Sequence, residues 1–169
     1  MPALLNHIDP NGLEEFSVVF TDRSLNHMSK EFQKVMCDLS SNLKEVYNAS
    51  AVVLVPGGGT FAMEAVARQF GIEANVMVIR NGWFSYRWSQ IFESSSNARS
   101  TTVLKARMIG NEPLAPFRPA EVDEVIKKIK ADKPDIVFAP HVETSAGVIL
   151  PDDYIKKVAA AAHDVGALM

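Results

Sequence analysis

The sequence predicts an α/β fold in which a mostly parallel sheet carries helices on both faces. Three apolar runs rich in β-branched residues, at 51–55, 76–79 and 136–139, are typical of strands buried on both faces. Several intervening segments place apolar residues at three- and four-residue steps, which is the spacing of one helical face. Strands that alternate with helices favour parallel pairing, because parallel neighbours need crossover connections.

Composition and charge narrow the class of protein. The 169 residues are 47% hydrophobic, enough to bury a core, and their formal net charge of -3 favours neither nucleic acid nor an anionic membrane as a partner. The N-terminus lacks the pattern of a signal peptide, and no apolar run approaches the roughly 20 residues of a membrane span. Cys37 is the only cysteine, and no Cys/His set has zinc-site spacing. We expect a cytoplasmic protein without a metal site.

The remaining elements follow from periodicity and turn chemistry. Residues 1–26 contain the turn signal Asp9-Pro10-Asn11-Gly12 and are predicted to be an irregular arm. We predict a further strand at 101–106, a surface connection at 111–119 and a loop at 142–150. Asp152 or Asp153 is expected to cap the last helix. Helices are predicted at 27–47, 60–70, 83–92, from 119 to before Pro134, and from 152 or 153 to about 165. Residues 166–169 indicate a helix stop and the start of another strand, so we expect the chain to end inside a domain.

A glycine-rich turn, Pro56-Gly57-Gly58-Gly59, links the first predicted strand to the helix that begins near Thr60. Glycines there let backbone N–H groups converge on an anion, the helix dipole favours negative charge, and Thr60 adds a hydroxyl. Phosphate is the expected ligand, although three glycines can also simply form a tight turn. Gly57, Gly59 and Ala62 also fit a dinucleotide fingerprint, and Arg80 could then meet a 2′-phosphate. The strict phosphate-loop pattern of nucleotide triphosphatases is absent.

Two further clusters follow predicted strands, at the edge where open α/β sheets bind ligands. Four aromatic residues lie within six positions after Arg80, where a flat cofactor could stack, although two or three of them are expected to pack as the apolar side of a helix. After residue 139, Thr144 and Ser145 offer hydroxyls and Gly147 permits a turn near a ligand. His141 has no identifiable nucleophile beside it and is predicted to be a loop histidine. The four aromatic residues are Trp83, Phe84, Tyr86 and Trp88.

These three motifs together resemble the class V aminotransferases, typified by alanine-glyoxylate and serine-pyruvate aminotransferases. The matching segments are 55–65, 81–88 and 141–148, their order and intervals also fit, and the likeness runs from about Phe20 to Met169. The resemblance implies the fold type I architecture of pyridoxal-phosphate enzymes, with residues 27–169 as the incomplete N-terminal part of the large cofactor-binding domain. It also implies pyridoxal 5′-phosphate as cofactor, a homodimer, and amino transfer between a small amino acid and a 2-oxo acid.

The resemblance assigns cofactor contacts residue by residue. It implies that Gly58, Gly59 and Thr60 hold the cofactor phosphate. Phe84 falls where the family places an aromatic residue against the pyridine ring, and Trp83 replaces it if the alignment shifts by one. Thr144 falls where a hydroxyl contacts the ring oxygen.

The same resemblance also identifies departures from the family. The family's Asp at the pyridine nitrogen and its Schiff-base lysine fall beyond Met169, so we nominate no catalytic residue and expect these 169 residues alone to be inactive. Lys105 and Lys133 are not substitutes, because both are expected in an exposed context, beside a strand or at a helix exit. The Gly-Pro-rich segment that lies by the substrate in the family has only residues 9–12 as a counterpart.

Three alternatives stay open. A desulfurase or lyase of fold type I would share the phosphate and ring contacts. An NADP-dependent oxidoreductase would use the fingerprint at residues 57–62. A non-enzymatic dimerisation module would use the fold alone.

Overall fold

The computed structural model describes residues 30–169. The chain divides into two compact units, residues 1–55 and residues 56–169. The predicted arm at 1–26 and the first residues of the first predicted helix lie outside the described residues.

In the first unit, helix α1 (Lys30–Tyr47) confirms the predicted helix over its described part. The prediction of a strand at residues 51–55 is wrong, because this segment has no regular secondary structure. Val53 at its centre is 83% exposed. A strand exists only when its backbone N–H and C=O groups pair with a neighbour, and an apolar, β-branched composition does not supply that neighbour.

The second unit holds the sheet and four helices. Its elements in chain order are α2 (Gly59–Phe70), β1 (Asn75–Arg80), α3 (Trp83–Ser95), β2 (Ser100–Lys105), β3 (Arg107–Met108), β4 (Phe117–Arg118), α4 (Val122–Asp132), β5 (Ile136–Phe138), β6 (Val142–Glu143), β7 (Val148–Ile149) and α5 (Asp152–Asp164). The predicted strands at 76–79, 101–106 and 136–139 and the predicted helices are confirmed within one to three residues at most ends.

The main sheet has the strand order β2-β1-β5, and both pairings are parallel. Arg80 lies opposite Lys105 at one end of the β1–β2 ladder, and Val78 lies opposite Phe138. Leu168 forms an isolated parallel bridge with Ile136, close to where the sequence predicts the start of another strand.

Strand β1 carries the core, because both of its faces are covered. Met77 and Ile79 face one hydrophobic cluster, and Val76 and Val78 face the other. All four residues are at most 1% exposed. The first cluster is completed from α4 and α5 by Val125, Ile129, Val158, Ala161 and Ala162; the second is completed from α2 and α3 by Ala67 and Phe92. The predicted parallel sheet with helices on both faces is therefore confirmed.

Three local predictions need correction. The predicted loop at 142–150 contains a small antiparallel ladder, β6–β7, around the 3₁₀ helix Thr144–Ala146. The proline-rich connection is bracketed by a second short ladder, β3–β4. Neither Asp152 nor Asp153 caps α5; Pro151 occupies that position, and both carboxylates lie in the first turn, where they interact favourably with the helix dipole.

Candidate functional site

The second and third sequence motifs meet at one edge of the sheet. Residues 81–88 follow the carboxyl end of β1, and residues 139–148 follow the carboxyl end of the neighbouring strand β5. Parallel neighbours place these ends side by side, as the sequence analysis predicted. The contact between the two segments is made chiefly by one side chain, that of Glu143.

Glu143 is fully buried, and its carboxylate accepts four hydrogen bonds. Oε1 accepts from the backbone N–H of Phe84 at 3.0 Å and from Ser145 Oγ at 2.6 Å. Oε2 accepts from the backbone N–H of Ser85 at 2.8 Å and from Ser85 Oγ at 2.5 Å. Ser145 Oγ in turn accepts from the backbone N–H of Trp83 at 2.7 Å. The first three N–H groups of α3 therefore all have acceptors.

The hydrogen bonds decide the ionisation of Glu143. Burial raises the pKa of this carboxyl. Hydrogen bonds from Ser145, from the Ser85 hydroxyl and backbone, and from the Phe84 backbone together lower the pKa by more than burial raises it, so it lies below its ordinary value. An ionised carboxylate at this position also meets the positive end of the α3 dipole. Glu143 is therefore the anion that holds the beginning of α3 against the loop after β5.

Gly82 is needed for this close approach. A Cβ atom at Gly82 would lie 2.5 Å from Ser145 Oγ and 2.7 Å from Glu143 Cγ, which is closer than real side chains pack. The φ angle of Gly82 is 176°, which is extended backbone that any residue adopts. Space rather than backbone conformation therefore requires glycine here.

The glycine turn opens helix α2 as the sequence predicted. Gly58 is the N-cap residue, Gly59 and Thr60 are the first two helical residues, and the Phe61 N–H bonds the Gly58 carbonyl at 2.9 Å. Within residues 30–169, the backbone N–H groups of Gly59 and Thr60 have no acceptor. Added Cβ atoms at Gly58 and Gly59 would meet nothing within 4 Å among the described residues, and both glycines are exposed.

Arg87 connects the glycine turn to the aromatic cluster. Its Nη1 donates a hydrogen bond to Thr60 Oγ1 at 2.8 Å, and its guanidinium carbon lies 5.9 Å from the centroid of the Phe84 ring. Thr60 and Phe84, which the sequence analysis nominated separately, thus both contact the side chain of Arg87. Arg87 Nε is buried and has no hydrogen-bond partner in the described part of the chain.

The aromatic residues divide between core and surface. Trp88 stacks on Phe138 with ring centroids 4.1 Å apart and belongs to the core. Phe84 is 47% exposed and Trp83 is 58% exposed, and Trp83 makes a tilted contact with Tyr86. Phe84 and Trp83 therefore both remain accessible to a ligand.

Thr144 and His141 lie in the loop after β5. Thr144 is an exposed residue at the start of the 3₁₀ helix, between Glu143 and Ser145, so the Glu143 network fixes the backbone that carries it. His141 is exposed, and its carbonyl accepts the Leu150 N–H at 2.9 Å at the base of the small ladder, in agreement with its predicted place in a loop.

Sequence reasoning missed the roles of Glu143 and Arg87. For Arg87, a usable signal exists, since a residue three positions after Phe84 on a helix lies on the same face. For Glu143, the signal is weaker: it is an acidic residue flanked by Thr144 and Ser145 directly after a buried strand.

The dinucleotide alternative receives no support from the geometry. Its fingerprint needs a strand directly before the glycines, and residues 51–55 form none. The Arg80 guanidinium lies 5.0 Å from the Tyr86 ring centroid, and Arg80 and Tyr86 line a cavity of about 310 Å³ together with Trp83, Lys105 and Phe117.

A parallel α/β sheet with an open helix start, an accessible aromatic ring and a hydroxyl-bearing loop at one edge is the arrangement of an α/β enzyme domain, a class that binds its ligands at the carboxyl ends of the strands. Within that class, the sequence model of the aminotransferase class-V family matches residues 14–169. The chain belongs to this family.

Two curated proteins to which the chain is similar are also aminotransferases by name. An uncharacterized aminotransferase of Helicobacter pylori (strain ATCC 700392 / 26695) is 28% identical over 149 residues, which cover 88% of this chain and 37% of that protein. Its counterpart in strain J99 is 27% identical over the same shares. The chain thus spans just over a third of the length of these curated relatives.

Two solved structures share the fold. Ureidoglycine-glyoxylate aminotransferase from Bacillus subtilis matches with a TM-score of 0.66 and 24% identity, over 85% of this chain and 35% of that one. Alanine-glyoxylate aminotransferase from Nostoc sp. matches with a TM-score of 0.64 and 22% identity, over 85% and 36%. None of the helices in residues 30–169 has the length and apolar character needed to cross a membrane.

Proposed function

We propose that the chain forms the part of a pyridoxal-phosphate-dependent aminotransferase that holds the cofactor phosphate and ring. The whole enzyme moves an amino group between a small amino acid of the alanine or serine type and a 2-oxo acid such as glyoxylate or pyruvate. Membership of the class-V family supports the amino transfer, and the glyoxylate enzymes among the structural neighbours support the substrate class.

One observation carries the cofactor assignment: side-chain contacts join all three motifs into one site. Arg87 links Thr60 at the start of α2 to Phe84 at the start of α3. Glu143 links the start of α3 to the loop that carries Thr144. In a ligand bound here, a phosphate group could contact Thr60, an aromatic ring could lie against Phe84, and a ring oxygen could accept from Thr144.

The donor set fits a phosphate monoester. Open N–H groups at a helix start, a threonine hydroxyl and a nearby guanidinium are donors that phosphate oxygens accept well. Gly58, Gly59 and Thr60 would hold the phosphate, Phe84 would lie against the pyridine ring, and Thr144 would donate to the ring oxygen.

Pyridoxal phosphate, when bound, supplies a ring that absorbs the negative charge left when a substrate carbon loses its proton. The residues described here have other tasks. Thr60 and the first N–H groups of α2 fix one end of the ligand, and Phe84 excludes water from one face of the ring. Glu143 keeps Phe84 and Thr144 in a constant relative position. We propose that none of the lysines in residues 30–169 forms the Schiff base, since every one of them, Lys105 and Lys133 included, is exposed.

We further propose that the protein is a cytoplasmic homodimer, as in the family that it resembles. Sedimentation velocity analysis of the purified protein tests the dimer directly, and a monomer at micromolar concentration would contradict it.

The central test is a ligand titration of the purified protein freed of cofactor. We expect binding of pyridoxal phosphate and no response to NADPH. Thr60→Val removes the hydroxyl and should weaken pyridoxal phosphate binding by roughly tenfold, because a hydrogen bond to a charged group is lost. Thr101→Val on the exposed part of β2 is the matched control and should change nothing.

Each alternative has its own outcome in this test. Micromolar binding of NADPH without binding of pyridoxal phosphate would replace the proposal with the oxidoreductase. Binding of neither ligand by a folded dimer would favour the dimerisation module. Borohydride reduction followed by peptide mass analysis should show no cofactor-modified lysine in residues 30–169. Amino transfer from alanine or serine to glyoxylate, followed by product chromatography, separates the aminotransferase from a desulfurase or lyase.

A further inference from the structure

We propose that Arg87 supplies the counter-charge for the cofactor phosphate and directs the Thr60 hydroxyl proton to a phosphate oxygen. This inference rests on the proposed function and goes beyond it, because it assigns a charged residue to the phosphate site and makes the site selective for the phosphorylated ligand.

The position of Arg87 is the first argument. Its Nη1 lies 2.8 Å from Thr60 Oγ1, and Thr60 is the second residue of α2. The guanidinium therefore lies at the first turn of α2, where the Gly59 and Thr60 N–H groups are without acceptors in the described part of the chain. Arg87 reaches this place from the first turns of a different helix, α3.

The electrostatics of this position are the second argument. A helix start carries partial positive charge, so a guanidinium beside it is repelled unless an anion lies between them. Among residues 30–169, no carboxylate forms an ion pair with Arg87. Glu64 on α2 pairs with Arg68 at 2.6 Å, and the Glu143 carboxylate accepts hydrogen bonds from the N–H groups at the start of α3. Two positive groups, the helix start and the guanidinium, thus meet at Thr60, and no described carboxylate pairs with Arg87.

The Thr60 hydroxyl gives the third argument. A hydroxyl has one proton to donate, and Thr60 Oγ1 already accepts a hydrogen bond from Arg87. Its own proton is therefore available to a second acceptor, and the described residues provide none. A dianionic phosphate oxygen is a strong acceptor for this proton, and such charge-assisted hydrogen bonds are about twice as strong as neutral ones.

Arg87 contacts the ring of Phe84 as well as the Thr60 hydroxyl. The same guanidinium lies 5.9 Å from the Phe84 ring centroid, within the range of a cation–π interaction. One side chain thus contacts both a phosphate donor and the ring that would face the pyridine. Arg87 Nε, which is buried without a partner in the described residues, shows that its hydrogen-bonding capacity is not used up by protein groups.

The test compares three ligands with four proteins. The purified protein freed of cofactor is titrated calorimetrically with pyridoxal phosphate, pyridoxal and inorganic phosphate. The variants are Arg87→Gln, which removes the charge, Arg87→Lys, which keeps it, and Lys156→Gln, a neutralising control at an exposed position of α5. Thermal unfolding followed by circular dichroism checks that each variant folds.

We expect Arg87→Gln to weaken pyridoxal phosphate binding by roughly 10- to 100-fold, the loss typical of a hydrogen bond to a charged group, and to leave pyridoxal binding within about twofold. Arg87→Lys should recover part of the preference for the phosphorylated ligand, and Lys156→Gln should match wild type. The ³¹P resonance of bound pyridoxal phosphate should titrate at a higher pH in Arg87→Gln than in wild type, because a positive charge stabilises the dianion.

Two negative results are distinguishable. If wild type binds pyridoxal phosphate no better than pyridoxal, the phosphate site itself fails, and the proposed function with it. If wild type prefers the phosphorylated ligand and Arg87→Gln keeps the same preference and the same ³¹P titration, only the role of Arg87 is refuted. Should Arg87→Gln not fold, the comparison of Arg87→Lys with wild type decides, since a residue with no role at the phosphate gives identical ligand preference in both.

Discussion

Glu143→Gln removes the charge that ties α3 to the loop after β5 while changing the volume of the side chain very little. The carboxylate accepts four hydrogen bonds, two at each oxygen. A glutamine retains one acceptor oxygen and turns the other into a donor, so two of the four bonds are lost. The Ser85 hydroxyl can turn to the Gly82 carbonyl at 3.2 Å, but the Ser85 N–H is left buried without an acceptor.

A buried donor without a partner costs about 1–3 kcal/mol, and a lost hydrogen bond to a charged group about 1.5–3 kcal/mol. We therefore expect Glu143→Gln to lower the free energy of unfolding by about 2.5–6 kcal/mol. Urea denaturation followed by circular dichroism measures this change. Glu93→Gln, an exposed acid on the same helix, is the matched control and should stay within about 0.5 kcal/mol of wild type.

The pH dependence gives a second readout. The pKa of Glu143 is lowered in the folded protein, so its ionised form contributes stability above the unfolded pKa of about 4.3, and this contribution is lost as the pH falls through the folded pKa. The difference between wild type and Glu143→Gln should therefore be largest near neutral pH and shrink below about pH 4. A difference under 0.5 kcal/mol at pH 7, or one that does not vary with pH, would refute the role assigned to this carboxylate.

Three further outcomes follow from described contacts. Gly82→Ala should destabilise the protein by about 1–3 kcal/mol in urea denaturation, because the added methyl group overlaps Glu143, and an unchanged midpoint would contradict the close approach. Trp88→Ala should cost about 3–5 kcal/mol through loss of the stack on Phe138, and thermal unfolding measures it. Burial, aided by neighbouring acids, raises the pKa of Tyr154 to about 12. The unfolded chain ionises this phenol near pH 10, so wild type should lose stability between pH 10 and 12, whereas Tyr154→Phe should lack this loss. Equal stability profiles of the two proteins at alkaline pH would contradict this assignment.

The strands of the parallel sheet could be predicted from sequence because the pattern of each strand is local, whereas the strand order β2-β1-β5 comes from the structure alone. An unbroken apolar run such as 76–79 needs cover on both faces, and the structure provides it with two separate clusters. The run at 51–55 has the same composition and is not a strand, because pairing depends on a neighbour that composition does not reveal. Sequence patterns therefore identify segments that can form strands, and only the fold decides which of them do.

The candidate site divides in the same way. Gly58, Gly59 and Thr60 could be placed at a helix start because a glycine turn before a helix is a local pattern. The contact between Glu143 and the Ser85 N–H joins residues 58 positions apart, and the contact between Arg87 and Thr60 joins residues 27 positions apart. Neither has a spacing rule, so only the three-dimensional structure reveals them.

The link between Glu143 and α3 also bears on the order of folding. Because the carboxylate comes from the segment after β5 and its donors from the segment after β1, the link forms only once β5 has docked beside β1. Contacts of such sequence separation form late, since the chain must first close a long loop. A nascent chain that has made only α2, β1 and α3 would therefore present its glycine turn with an unanchored ring beside it. Binding of the proposed cofactor would thus depend on the docking of β5 beside β1. Pyridoxal phosphate added during refolding should bind after most of the secondary structure has formed.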